Sequence, residues 1–280
     1  MFRQFPITLC ATRLAAVIVV LTAMTFITAD SVGPTLATPL ASLKPATAPT
    51  CSAPTDLAHL DHTLVRTTQR LAAGLPITIV AVGSSSTAGA GASSPAHTYP
   101  NRLAAALNKL FPDHPIEVIN RGANGDEDSD MLARLERDVL AEKPDLVLWQ
   151  VGTNALLRDR DLQAAGVVIH EGLVRLKASG ADVVLIDPQF APKVVAKAET
   201  GDMVRLLATL AKKDNVNLFR RFAVMQNWHE ASGIPFEAFV TADDLHMNDW
   251  GYGCVAKILA DAIADAAARP TLTARAARRS

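Results

Sequence analysis

Five short β-branched runs that alternate with amphipathic stretches predict an α/β fold: a three-layer α/β/α sandwich around a doubly wound, five-stranded parallel sheet of flavodoxin-like order. Three observations carry this. The runs are continuously apolar, as in strands buried on both faces, where a half-solvated strand would alternate. The stretches between them repeat apolar residues at helical spacing. Glycine and small polar residues stand directly after the first three runs, at the carboxyl ends where such sheets carry their sites.

The strands are read at Ile77 to Val82, Ile116 to Asn120, Leu146 to Val151, Val183 to Ile186 and Val216 to Phe219. Helices are expected near Tyr99 to Phe111, Glu127 to Ala141, Asp161 to Ala178, Glu199 to Lys213 and Trp250 to Ala268. Leu162, Ala165, Ile169, Leu173 and Leu176 fall on one face of the third, and Val255, Ile258, Leu259 and Ile263 on one face of the last, with Asn248 or Asp249 as its cap. A further helix is expected over Asp56 to Ala72, from Leu57, Leu60, Leu64 and Leu71, with Asp56 as cap. His59 and His62 lie on it beside Asp61, but no third ligand has matching spacing, so no metal site is assigned.

The ends differ in character from this middle. Arg3 and Arg13, the apolar run Leu14 to Ile27 and Thr28-Ala29 have the three-part plan of a secretory signal, expected to span 1–29. The run is shorter than the about 20 apolar residues of a membrane span, although an uncleaved anchor stays open as the alternative. An Ala/Thr/Pro-rich spacer (30–54), the folded domain (55–268) and a basic tail (269–280) follow. Removing the leader leaves Cys51 and Cys254, and two cysteines in an oxidising compartment suggest one disulfide, with two separate thiols as the alternative. The folded part is expected to have no stable membrane span. With 49% hydrophobic and 20% charged residues the chain can bury a core, and a net charge of −1 provides no electrostatic footprint for nucleic acid.

The chemistry concentrates after the strands. Ile79 to Gly91 reads IVAVGSSSTAGAG, a buried strand that stops in a glycine and three serines before a tight turn. A serine there has free backbone N–H groups beside it for developing negative charge. A phosphate cradle is the competing reading, but no GKS or GKT follows, and Gly89-Ala90-Gly91 lacks the third glycine of a dinucleotide fingerprint. Asn120-Arg121-Gly122 follows the second run, Gly152-Thr153-Asn154 the third, and Asp243-Asp244-Leu245-His246 precedes the last helix. Gly125-Asp126-Glu127-Asp128 reads as an acidic helix start without chemistry.

In order and spacing, from about residue 77 to 262, these four blocks resemble the SGNH (GDSL-type) hydrolases. The resemblance implies a serine esterase in which Ser85 is the nucleophile, His246 the base and Asp243 the carboxylate that orients it. It also implies that the Ser85 N–H, the Gly122 N–H and the Asn154 amide form the oxyanion hole. Asp244 competes with Asp243, and Ser84 and Ser86 with Ser85. Ser84 and Ala155 stand where the family has aspartates, which marks a divergent member. Such chemistry needs no metal or organic cofactor. The partner expected is a small acyl ester or acylated carbohydrate, with O-acetyl groups on a glycan favoured. A lysophospholipase or thioesterase and a non-catalytic glycan-binding module are the alternatives. Asp187-Pro188-Gln189-Phe190, Trp228, His229 and Phe236 are candidate substrate contacts on the same rim.

Overall fold

A computed structural model describes residues 49–269. The expected leader, most of the spacer and the tail beyond Arg269 lie outside the described residues. The strands are β1 Ile77–Gly83, β2 Ile116–Gly122, β3 Leu146–Gln150, β4 Asp182–Ile186 and β5 Asn217–Phe219. All pair in parallel, in the order β2-β1-β3-β4-β5. The chain thus runs outward from β1 to β2 and returns past β1 to β3. The carboxyl ends of β1 and β3 flank the point where the winding reverses, which is where a doubly wound sheet opens a crevice.

The helices are α1 Val65–Ala72, α2 Ser85–Ala88, α3 Tyr99–Leu110, α4 Asp128–Ala133, α5 Leu135–Asp138 and α6 Thr153–Leu157. They continue with α7 Leu162–Ala178, α8 Pro192–Val195, α9 Thr200–Asp214, α10 Arg221–Gln226 and α11 Asp249–Ala268. Helices α1, α3 and α11 pack together as one layer, and α4, α7 and α9 as the other. With both faces covered, every residue of β3 is buried, which explains the apolar run Leu146 to Trp149 that precedes Gln150. Asp161 caps α7 through the Ala164 N–H (2.7 Å), and Asn248 caps α11 through the Gly251 N–H (3.0 Å).

Three expectations are corrected. The helix read over Asp56 to Ala72 is helical only from Val65, and Asp56 caps nothing. The Asn217 side chain takes both backbone groups of His62 (2.7 and 3.1 Å), so this segment satisfies its backbone against β5 while Leu60 and Leu64 still reach the core. The helix read over Glu127 to Ala141 breaks at Arg134, whose guanidinium reaches Asp126, Asp138 and the Gly83 carbonyl. Finally, the last residues read as spacer belong to the packed body. The Trp250 and Trp228 indoles donate to the Pro49 and Ser52 carbonyls, and Cys51 is bonded to Cys254 on α11.

Candidate active site

Strand β1 ends in Gly83, and the chain turns at once into α2. A side chain at 83 would meet Thr87 Oγ1 at 2.2 Å and Gln150 Oε1 at 2.8 Å, so only glycine allows the turn to close this tightly. The turn separates the three serines. Ser84 and Ser86 are buried, and both hydroxyls donate to Gln150 Oε1 (3.0 and 3.1 Å). Ser85, at the first position of α2, is the one of the three that is not buried.

The Ser85 hydroxyl oxygen lies 2.8 Å from His246 Nε2. The other ring nitrogen, Nδ1, lies 2.5 Å from Asp243 Oδ2. Asp243 Oδ1 accepts from Thr241 Oγ1 (2.7 Å) and from the N–H groups of Leu245 and His246 (both 2.9 Å), so the carboxylate is fixed within its own loop. Partial burial raises this carboxyl, but those hydrogen bonds, with the one from the His246 ring foremost, outweigh it and hold it well below the usual carboxylate range. Asp244 is turned away: its backbone is left-handed (φ 60°), its side chain is exposed, and its carbonyl accepts from the Lys193 N–H (3.0 Å). The arrangement can move a proton from a hydroxyl to an imidazole whose cation is stabilised on its far side.

A second Ser, His and Asp cluster shows what the first has. Ser93 Oγ and Asp249 Oδ2 lie 2.6 and 2.7 Å from the same atom, His97 Nδ1, and 2.5 Å from each other. A ring that meets both partners through one nitrogen cannot relay a proton between them. His246 uses both.

Asn154 stands in the first turn of α6 after β3, and its amide nitrogen donates one hydrogen to the Asp126 carbonyl (2.8 Å), which leaves its second free. Gly122 requires a correction. Its N–H donates to Asn120 Oδ1 (2.9 Å), so it is not an unoccupied donor for an oxyanion. Its glycine identity has a packing reason instead, because a Cβ there would lie 2.1 Å from the Ala88 nitrogen. Asn120 also donates to the Thr87 carbonyl (2.9 Å), so its amide stitches β2 to α2.

Most of the expected substrate contacts are buried. Asp187, Gln189 and Trp228 are 1%, 2% and 1% exposed, and Phe190 lies in the core. Only His229 and Phe236 keep partial exposure, stacked on each other with ring centroids 3.9 Å apart. Residues that sequence reasoning missed lie beneath the site: Gln150, which ends β3, and Arg221, which opens α10. Neither falls within the four blocks read from the sequence. A glutamine and an arginine beside the ends of buried strands were the available signal.

The Non-GDSL lipase-like family matches residues 50–269, well over half of the chain. An acetylxylan esterase of Geobacillus stearothermophilus is 41% identical over 56 residues, which are 20% of this chain and 26% of that protein. The match therefore spans about a quarter of that relative's length. Among solved structures, a two-domain esterase (CEX) active on acetylated mannans superposes with a TM-score of 0.64 at 24% identity, covering 76% of this chain and 56% of that one. The acetyl xylan esterase AlAXEase superposes at 0.59 with 22% identity, covering 67% and 100%. These structural likenesses establish a shared fold. The family's name sets it apart from the GDSL-type expectation, and Gly83-Ser84-Ser85 is where this sequence itself departs from a glycine, aspartate and serine block. The chain belongs to the Non-GDSL lipase-like family.

Proposed function

We propose that this protein is an exported serine esterase of the SGNH type that removes O-acetyl groups from a glycan. One observation carries the catalytic reading: His246 meets Ser85 through one ring nitrogen and Asp243 through the other. Ser85 Oγ attacks the ester carbonyl carbon and its proton passes to His246 Nε2. The tetrahedral intermediate collapses as His246 returns that proton to the departing sugar oxygen, leaving acetyl-Ser85. Water then attacks the acyl carbon, its proton going to His246. Acetate leaves as the proton returns to Ser85 Oγ.

The developing oxyanion needs donors already in place, each worth about 3 kcal/mol in such sites. The Ser85 N–H and the free hydrogen of the Asn154 amide are two. With Gly122 committed to Asn120, the third is assigned to Gly125, whose N–H donates to no described group and whose neighbour Asp126 is bonded to Asn154. Arg158 donates to the Gly125 carbonyl (2.9 Å) and, like Arg160, to Glu127, which steadies this loop.

The glycan acetyl preference draws on the relatives, whose names record activity on acetylated xylan and mannan. Export draws on the leader-like 1–29 segment and on the Cys51 to Cys254 bond. A fluorophosphonate probe tests the catalytic reading. Mass spectrometry should map the adduct to Ser85, and Ser85→Ala should lower acetyl release by about 10⁵-fold or more. Acetylated xylan and mannan should be deacetylated in preference to long-chain acyl esters. An adduct on Ser84 or Ser86, or full activity in Ser85→Ala, would sink the reading.

A further inference from the structure

The nucleophile turn and the histidine loop are far apart in sequence, and neither is a long regular element: α2 is four residues long, and the Asp243 to His246 loop is irregular. Something must hold Ser85 and His246 in register. Arg221 lies directly beneath them and is fully buried (0% exposed). Its Nε donates to the Asp187 carbonyl (2.9 Å), one terminal nitrogen to Ser86 Oγ (3.2 Å) and the other to Gln189 Oε1 (3.0 Å). Gln189 in turn donates from Nε2 to the Leu245 carbonyl (3.3 Å). Ser86 is the residue after the nucleophile, and Leu245 is the residue before the base.

A buried cation is costly unless its charge and donors are satisfied. Asp187, 1% exposed, is the carboxyl beside it: burial pushes it up to about 7, against the Phe222 N–H that its Oδ1 accepts (2.8 Å) and the charge of Arg221, so the two groups favour each other's ionised form. Such a group is expensive for the fold, and a hydrophobic side chain of similar volume would fill the space more cheaply. What the guanidinium adds is a planar fork that can hold three acceptors in fixed directions at once, which no apolar group and no lysine can do.

Accepting the esterase reading above, we propose that Arg221 and Gln189 are positioning residues. Together they tie the turn that carries Ser85 to the loop that carries His246, through the Ser86 hydroxyl at one end and the Leu245 carbonyl at the other. They touch no reacting atom and act through those two neighbours. Gln150 braces the same turn from β3, since its Oε1 accepts from the Ser84 N–H (2.9 Å) and from the hydroxyls of Ser84, Ser86 and Thr87. Loss of the arginine's link therefore loosens the turn relative to the histidine loop without dissolving the turn itself.

The test is Gln189→Glu in the full chain. The introduced carboxylate still accepts from Arg221 and from Thr153 Oγ1 (3.3 Å in the native protein), but it has no N–H for the Leu245 carbonyl. The link to Leu245 is thereby cut while the acceptor for Arg221 stays, a separation that Arg221 substitutions do not give because they strand Asp187. Expected are a protein that stays folded at the assay temperature, an acetyl-ester KM within twofold, and kcat and the fluorophosphonate labelling rate, each taken per folded molecule, reduced together by about ten- to a hundredfold. Gln189→Leu, which cuts both links, should lower kcat at least as far and melt lower. If Gln189→Glu keeps wild-type kcat, or loses activity only in proportion to its folded fraction, the positioning role is wrong. Those results leave a labelled, active wild type and so spare the esterase reading. A wild type that the probe does not label removes both.

Discussion

Asp243 and Asp244 are adjacent residues of the same type and both exposed, yet only one can serve His246. Asp243 gains its position from three local donors, Thr241 Oγ1 and the N–H groups of Leu245 and His246, which aim its second oxygen at the imidazole. Those bonds favour the charged form, so the orienting carboxylate persists into acid solution. Asp243→Asn should cut turnover by up to about 10⁴-fold, because an amide at that place can offer an N–H where the ring needs an acceptor. Asp244→Asn should stay within about twofold, since its side chain makes no bond to the ring. Steady-state kinetics on an acetyl ester decides between them, and the reverse pattern would identify the wrong carboxylate. The surface cluster of Ser93, His97 and Asp249 should give no covalent adduct, since one nitrogen serves both partners there.

At the level of elements, the site is set by how the loops after β2 and β3 lock together. Glu127 caps α4 with a reciprocal bond to Asp130 and takes Arg160 and Arg158, the Arg160 bond foremost in holding its carboxyl below the usual range. Its neighbour Asp128 is buried, 4% exposed, and accepts the Gly152 N–H at the end of β3 (2.9 Å), while its other oxygen has no partner among the described residues. Burial therefore pushes its carboxyl up to about 6, against the single bond from Gly152. The sign follows from linkage. A carboxyl whose folded value lies above its unfolded one binds its proton more tightly when folded. Stability is then undiminished below the ordinary carboxylate range, falls as pH rises through about 4 to 6, and stays lower above that. The full penalty is about 3 kcal/mol at most. Asp128→Asn keeps an acceptor for Gly152 and removes the charge. It should raise the melting temperature at pH 8 and leave it unchanged or lower at pH 4, and a gain of equal size at both values would show that ionisation is not the cause.

For the molecule as a whole, the bond from Cys51 to Cys254 closes a loop of 203 residues, which includes the sheet and every residue assigned to the site. Chain entropy for a loop of that length corresponds to about 5 kcal/mol, an upper figure because residual structure in the unfolded chain reduces it. The same N-terminal segment is pinned by the Trp228 and Trp250 indoles, so it stays attached when the sulfurs separate. Reduction should accordingly lower the melting temperature by several degrees or more while leaving kcat at lower temperature nearly unchanged, since Ser85 and His246 do not depend on the bond for their contact. Thermal melts with and without a reductant, paired with rates on an acetyl ester, measure both. Loss of activity in protein that remains folded after reduction would show that the clasp reaches the site.

What the sequence determined by itself was the parallel sheet and the places where its strands stop. Continuous apolar runs can be satisfied only by burial on both faces, and Gly83 at the end of the first run marks the turn that presents Ser85. The spacing of the histidine loop also favoured Asp243 over Asp244. It could not show why: three local donors aim Asp243 at the ring, and a left-handed backbone turns Asp244 away. Nor could it show that the Gly122 N–H is taken by Asn120, that Asn217 holds the chain near His62 out of a helix, or that Arg221 sits under Ser86. Each of these is a hydrogen bond or a backbone turn formed when the chain closes, and those between distant residues leave no period in the sequence. The strands follow from a pattern repeated along the chain, whereas the register of Ser85 with His246 depends on single polar groups that only the closed fold brings together.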